Sequence, residues 1–189
     1  LMTIDLLFVH SAGLQIGGQG SAPFVEQLRR DLGAAYKISF PIMPAPSKPS
    51  YLRWKYELKN LLHGESSPKI LIGHSLGGSV LLKYLSELPD KISASGLFIV
   101  AAPFWGSENW TLDEFLLRDD FAKSLPKSLK IFLYHSKDDD MVPFSHLDYY
   151  RKAIPQAEVR ELDTGEHSFK KGLPELTRDI QKLSASLGN

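Results

Sequence analysis

Six short runs of apolar and β-branched residues recur along the chain, at 6–10, 36–40, 69–73, 96–101, 130–135 and 158–162. Runs this short with few polar breaks read as strands covered on both faces, because a strand with one solvated face alternates strictly. Between them, apolar residues return at helical spacing over 24–32, 51–62, 77–88, 112–125, 145–153 and 173–187, which predicts amphipathic helices. Strand and helix therefore alternate throughout. Parallel neighbours need a long right-handed crossover, and a helix supplies it. The pattern thus predicts an α/β fold: a mostly parallel six-stranded sheet inside a three-layer α/β/α sandwich. Ligands of such sheets bind beyond the carboxyl ends of the strands, which directs attention to the residues after each run. At 189 residues the chain is the size of one domain with one continuous core, and a single domain over 1–189 is expected.

Two stretches interrupt the alternation. The first, 41–49, carries Pro41, Pro44, Pro46 and Pro49 and is too rich in proline for a helix. It reads as a stiff connector or as a wall of a cleft. The second places Phe104, Trp105 and Trp110 just after the fourth strand, where aromatic side chains either line a substrate pocket or cap the core.

The run at 69–73 leads into Gly73-His74-Ser75-Leu76-Gly77 and then into an apolar helix. Gly-x-Ser-x-Gly between a strand and a helix is the context of a nucleophile elbow, in which a sharp turn lifts the serine above the sheet. A serine that merely capped the helix would not need glycine on both sides. The Leu76 N–H then lies at a helix start, where unpaired amides and the helix dipole favour negative charge, and is an expected oxyanion donor. Adjacent residues at such a turn point in different directions, so His74 reads as a packing residue.

After the first strand, Val9-His10-Ser11-Ala12-Gly13 must turn away from the sheet. The Ala12 N–H is the expected second donor, with Ser11 as a substitute or pocket residue. Asp138, Asp139 and Asp140 follow the fifth strand, and the residues alone leave the choice of acid among them open. No second cluster of oxygen ligands accompanies them, so a divalent-metal site is not expected. His167 stands just past the sixth strand in Gly165-Glu166-His167, and the order serine, aspartate, histidine suits this fold. His10, His63, His135 and His146 read as ordinary surface or core residues. An alcohol becomes a competent nucleophile once a base accepts its proton. An imidazole does this near neutral pH when a carboxylate fixes its tautomer.

Composition narrows the chemistry. The 22 basic and 22 acidic residues cancel and form no long block of one sign, so no nucleic-acid or acidic-membrane partner is expected. The chain has no cysteine, which excludes disulfides, thiolate metal sites and a cysteine nucleophile. No apolar run approaches a membrane span, and Leu1-Met2-Thr3-Ile4-Asp5 lacks the basic stretch of a signal peptide, so a cytoplasmic location is the expectation. A small-molecule acyl substrate and no cofactor complete the picture.

Three segments, namely Gly73-His74-Ser75-Leu76-Gly77, 136–143 and Gly165-Glu166-His167, make the chain resemble the α/β-hydrolase superfamily over nearly its whole length. In particular it resembles the compact, lidless serine hydrolases related to retinoblastoma-binding protein nine. The resemblance implies the strand order 2-1-3-4-5-6. It also implies an acid four residues before the proline of the 136–143 segment, which selects Asp139. Many relatives carry His-Gly where this chain has His10-Ser11. The implied activity is that of a carboxylesterase-like serine hydrolase acting through an acyl-serine on a small or medium substrate. Thioesterase, peptidase and acyltransferase chemistry share that intermediate, and a non-catalytic interaction module on the same fold is the alternative.

Overall fold

In the computed structural model, residues 2–64, 66–87 and 92–188 are described. Strands β1 (Ile4–Val9), β2 (Tyr36–Ser39), β3 (Ile70–His74), β4 (Gly96–Val100), β5 (Lys130–Ser136) and β6 (Glu158–Leu162) form one sheet in the order β2-β1-β3-β4-β5-β6. Every neighbouring pair is parallel. Helices α1 (Ala22–Leu32), α2 (Tyr51–Leu62), α3 (Leu76–Glu87) and α4 (His146–Ala153) make four of the five crossovers, α5 (Pro174–Leu187) follows β6, and all five cover the sheet. The helix expected over 77–88 is α3; its last expected residue, Leu88, lies outside the described residues.

Side chains of a strand alternate between faces, so each strand feeds two cores. Leu7, Val9, Leu71, Leu97, Ile99, Ile131 and Leu133 face one way, toward Trp54 and Leu58 of α2, Leu81 and Leu85 of α3 and Leu147 of α4. Leu6, Phe8, Ile70, Ile72, Phe98 and Val100 face the other way, onto Phe24 and Leu28 of α1 and Leu176 and Ile180 of α5. The uninterrupted apolar runs follow from this double burial.

The helix expected over 112–125 is absent. Two short 3₁₀ turns, Asp113–Phe115 and Phe121–Ser124, stand there instead. The reason is packing. α3 is buried nearly all round and needs cover on its outer side, and Phe115 and Phe121 supply it, 2% exposed each. Six residues apart, they would point to faces roughly 120° apart on a regular helix; breaking the helix lets both reach the core. Leu116 is extended between the turns, and its carbonyl accepts a hydrogen bond from Lys83 Nζ of α3 at 2.6 Å.

Candidate active site

Ser75 is the single residue between the end of β3 and the start of α3. Its φ of +55° is a left-handed conformation that costs a residue with a β-carbon about 1–2 kcal/mol. The surroundings maintain it. The Ser75 N–H donates to the Val100 carbonyl at 2.8 Å, and the Ser75 carbonyl accepts from the Gly78 and Ser79 amides at 2.9 and 3.3 Å. Glycine is required on both sides by close backbone approach. A β-carbon on Gly73 would lie 2.5 Å from Gly78 Cα, and one on Gly77 would lie 2.6 Å from the His10 carbonyl oxygen. α3 is thereby seated on the backbone at the end of β1.

His167, in the loop after β6, brings Nε2 to 2.9 Å from Ser75 Oγ. Its Nδ1 lies 2.9 Å from Asp139 Oδ2, in the loop after β5. A carboxylate only accepts, so Nδ1 carries the proton and Nε2 is free to take one from the serine. The Asp139 side chain is fully buried, with Oδ1 accepting the Met141 and Val142 amides at 2.9 and 2.8 Å. The single Nε2 proton of His135 is shared between Oδ2, 3.1 Å away, and the Val142 carbonyl at 2.9 Å. Burial opposes the charge of Asp139, but the hydrogen bonds from His135 and His167 and from the Val142 amide prevail, and its carboxyl is held well below the usual carboxylate range. Asp138 and Asp140 are exposed. Asp138 Oδ1 accepts the Glu166 N–H at 2.8 Å and the Ser136 hydroxyl, and so braces the loop that carries His167.

The Leu76 N–H, first in α3, has no acceptor within the helix. After β1, the Ser11 N–H is taken by Ser21 Oγ at 3.0 Å and the Gly13 N–H by the Pro46 carbonyl at 2.7 Å. The Ala12 N–H between them meets no backbone acceptor among the described residues. Its loop is pinned from several sides. His10 Nε2 accepts the Met43 amide at 2.9 Å and Nδ1 donates to the Ser11 carbonyl at 2.5 Å. Gln15 Nε2 donates to the Ser11 and Gly13 carbonyls at 3.0 and 2.8 Å. The proline-rich 41–49 stretch thus acts as a brace through Met43 and Pro46. Ser11, a candidate pocket residue in the sequence, is buried, its hydroxyl engaged by Ser21 and Gln15.

The aromatic segment after β4 both packs and faces outward. Phe104 lies between Tyr149 and Tyr150, its centroid 5.5 and 4.9 Å from theirs, and its N–H donates to His146 Nδ1 at 2.8 Å. Trp105 and Trp110 meet edge to face at 5.3 Å, Trp105 leaning on Phe115 and Trp110 on His146. All three of these aromatics are partly exposed.

His10, His74, His135 and His146 are each at most 2% exposed and hydrogen-bonded to backbone or hydroxyl groups. Sequence reading missed these contacts, together with Gln15, Ser21 and the bracing by Asp138. Nothing local marks them, because most of the partners lie tens of residues away. Burial, then the neighbouring His167, pushes the His74 imidazole down to about 3; burial, then His135, pushes His146 down to about 4. Both are therefore neutral in the folded protein, whereas in the unfolded chain they protonate near the ordinary 6.5. Below 6.5 the unfolded state binds more protons. Stability from these two groups is complete above that pH and is lost as pH falls toward the folded values. Asp139 adds loss only below its unfolded range, near 4. Between pH 7.5 and 5.5 the two histidines together account for about 3 kcal/mol, a fall in Tm of roughly 6–12 °C. Thermal denaturation at the two pH values checks this, and His146→Asn, whose Oδ1 can still accept the Phe104 amide, should show about half the fall.

A six-stranded parallel sheet in this order, with a serine at the turn from its third strand into a helix, defines the α/β-hydrolase fold. The chain belongs to the serine hydrolase family, whose sequence model matches residues 17–180. Among solved structures it is similar to the ydeN gene product of B. subtilis, with 23% identity over 97% of this chain and 100% of that one and a TM-score of 0.76. It is also similar to the serine hydrolase CarC, involved in carbazole degradation, at 13% identity over 97% and 92% of the two chains, TM-score 0.73. The esterase RhEst1 from Rhodococcus sp. aligns at 16% identity over 98% and 91%, TM-score 0.68. Identities this low speak to the fold. No curated protein matches the chain. Among the described residues, no helix is long and apolar enough to cross a membrane.

Proposed function

We propose that this chain, working as one domain, hydrolyses carboxylic esters through an acyl-serine intermediate on Ser75. The observation that carries the reading is the continuous relay Asp139–His167–Ser75, with both hydrogen bonds at 2.9 Å. His167 Nε2 takes the Ser75 proton as Oγ attacks the ester carbonyl. The resulting oxyanion is met by the Leu76 and Ala12 amides, each worth about 3 kcal/mol when preorganised. His167 then protonates the departing alcohol, and water, deprotonated by the same nitrogen, releases the acid. Asp139 stays charged throughout, keeps the proton on Nδ1 and stabilises the imidazolium.

The surroundings favour an uncharged acyl group of small to medium size. Five exposed apolar side chains leave the carboxyl edge of the sheet: Leu14 and Ile16 after β1, Ile42 after β2, Leu112 after β4 and Met141 beside Asp139. Trp105 and Trp110 add aromatic surface after β4. Such a rim contributes affinity through burial of acyl carbons.

A fluorophosphonate probe, followed by peptide mapping, tests the reading. The expected adduct is on Ser75, and p-nitrophenyl esters of graded length should be turned over, with butyrate preferred to succinate. Folded protein that neither labels at Ser75 nor hydrolyses any of these esters would overturn it.

A further inference from the structure

We propose that His74 is a positioning residue whose imidazole ties the loop presenting the Ala12 amide to the loop presenting His167, setting both against Ser75. The inference rests on the ester-hydrolase reading for its kinetic consequence, and on geometry alone for the hydrogen-bond chain itself.

His74 ends β3 next to Ser75, with its ring turned into the core and 1% exposed. Its Nε2 lies 2.8 Å from the His167 carbonyl oxygen. A carbonyl only accepts, so Nε2 must carry the proton. On a neutral ring Nδ1 is then a bare acceptor, and Ser21 Oγ stands 2.7 Å from it. Ser21 has one hydroxyl proton and gives it to His74, so its oxygen is left to accept. It accepts the Ser11 N–H at 3.0 Å. Ser11 is the residue before Ala12. Every proton direction is thereby set from the backbone beside one oxyanion donor, through Ser21 and His74, to the backbone of the base itself.

The two loops joined this way have little else in common. The first leaves β1 and the second leaves β6, the far edge strand of the sheet. The second is also strained. Glu166 and Phe169, on either side of His167, have φ of +54° and +46°, a conformation that residues with a β-carbon adopt only where the surroundings impose it. The His74 bond to the carbonyl of His167 fastens the loop between those two positions, and Phe24 packs edge-on to His74 and against Phe169. Protonation of His74 would abolish the acceptor for Ser21 and set a cation beside His167, whose ring centroid is 5.4 Å away. Burial and the proximity of His167 oppose that protonation. The groups packed on the ring are Ser21 of the segment entering α1, the His167 backbone and imidazole, and the rings of Phe8 and Phe24; Asp139, which favours its charged form, and His10, which opposes it, are the other titratable groups acting on it.

Two measurements on the full chain test the proposal. The first is ¹⁵N–¹H NMR of the His74 imidazole, which should show the Nε2–H tautomer unchanged from pH 8 to 5. An Nδ1–H tautomer, or titration in that range, would overturn the chain, and this readout needs no turnover. The second is kinetics of Ser21→Ala, which removes one oxygen and leaves the catalytic groups in place. Its kcat on an activated ester should fall 10- to 100-fold with KM changed less than threefold, and Ser21→Thr, which restores the hydroxyl, should recover most of the loss. A folded Ser21→Ala protein with kcat within twofold of wild type would overturn the positioning role. Absence of turnover in the wild type would instead overturn the ester-hydrolase reading, leaving the tautomer to decide the hydrogen-bond chain.

Discussion

Replacing Ser75 or His167 by alanine lowers kcat/KM on an activated ester by about 10⁴-fold or more, and the double variant is no slower than the worse single one. The two groups act as one unit. Without the hydroxyl the imidazole at 2.9 Å has no proton to take, and without the imidazole the hydroxyl stays protonated. On the proposed mechanism, what survives is binding and the oxyanion stabilisation assigned to the Leu76 and Ala12 amides, which neither substitution touches. Asp139→Asn should fall by a similar factor of roughly 10⁴ for a different reason. The amide NH₂ of asparagine, turned toward His167, would donate to Nδ1 and move the ring proton to Nε2, where it blocks acceptance from Ser75. Steady-state kinetics at one pH, with circular dichroism to verify folding, checks all four proteins. A folded Ser75→Ala variant that keeps a tenth of wild-type activity would refute the mechanism.

Gly77→Ala should be the most disruptive single-methyl change in the chain, destabilising it by at least about 3 kcal/mol. The new carbon would run into the Val9 and His10 carbonyl groups. Those are backbone atoms at the end of β1 and have no rotamer to escape into. Relief requires α3 to move off the sheet, carrying Ser75 and the Leu76 amide with it and disturbing the loop that holds Ala12. Activity is lost together with stability. Gly18→Ala, where a β-carbon meets nothing within 4 Å, is the matched control and should be nearly neutral. Thermal denaturation of the two variants decides it: a Gly77→Ala protein melting within 2 °C of wild type with full activity would show that the contact is not rigid.

What could be read without coordinates was whatever depends on neighbours along the chain. The apolar runs stated the strands because burial on both faces removes the need for alternation, and the helical spacing stated every crossover helix. Gly73 and Gly77 marked the turn at Ser75 because a local backbone shape demands them. The place of His167 just beyond β6, and of an aspartate just beyond β5, was legible from chain order, but the residues alone left Asp138, Asp139 and Asp140 in competition, and the choice of Asp139 came from the family resemblance. The one helix wrongly expected, over 112–125, failed because Phe115 and Phe121 answer to the outer side of α3, which they cover, and not to each other.

Tertiary structure alone decided which buried polar groups meet. Nothing near His74 in the chain points to the carbonyl of His167, 93 residues away, or to Ser21, 53 residues before it. The same holds for His10 against Met43 and His146 against Phe104. A buried imidazole must find a partner for each nitrogen, but the sequence does not say which, because hydrogen bonds of a few ångströms are set by how helices and loops seat on the sheet. The amino-acid order therefore determined the scaffold and the rim on which the reactive groups stand. Packing determined their tautomers and their distances, since those depend on contacts made only after the strands have been brought side by side.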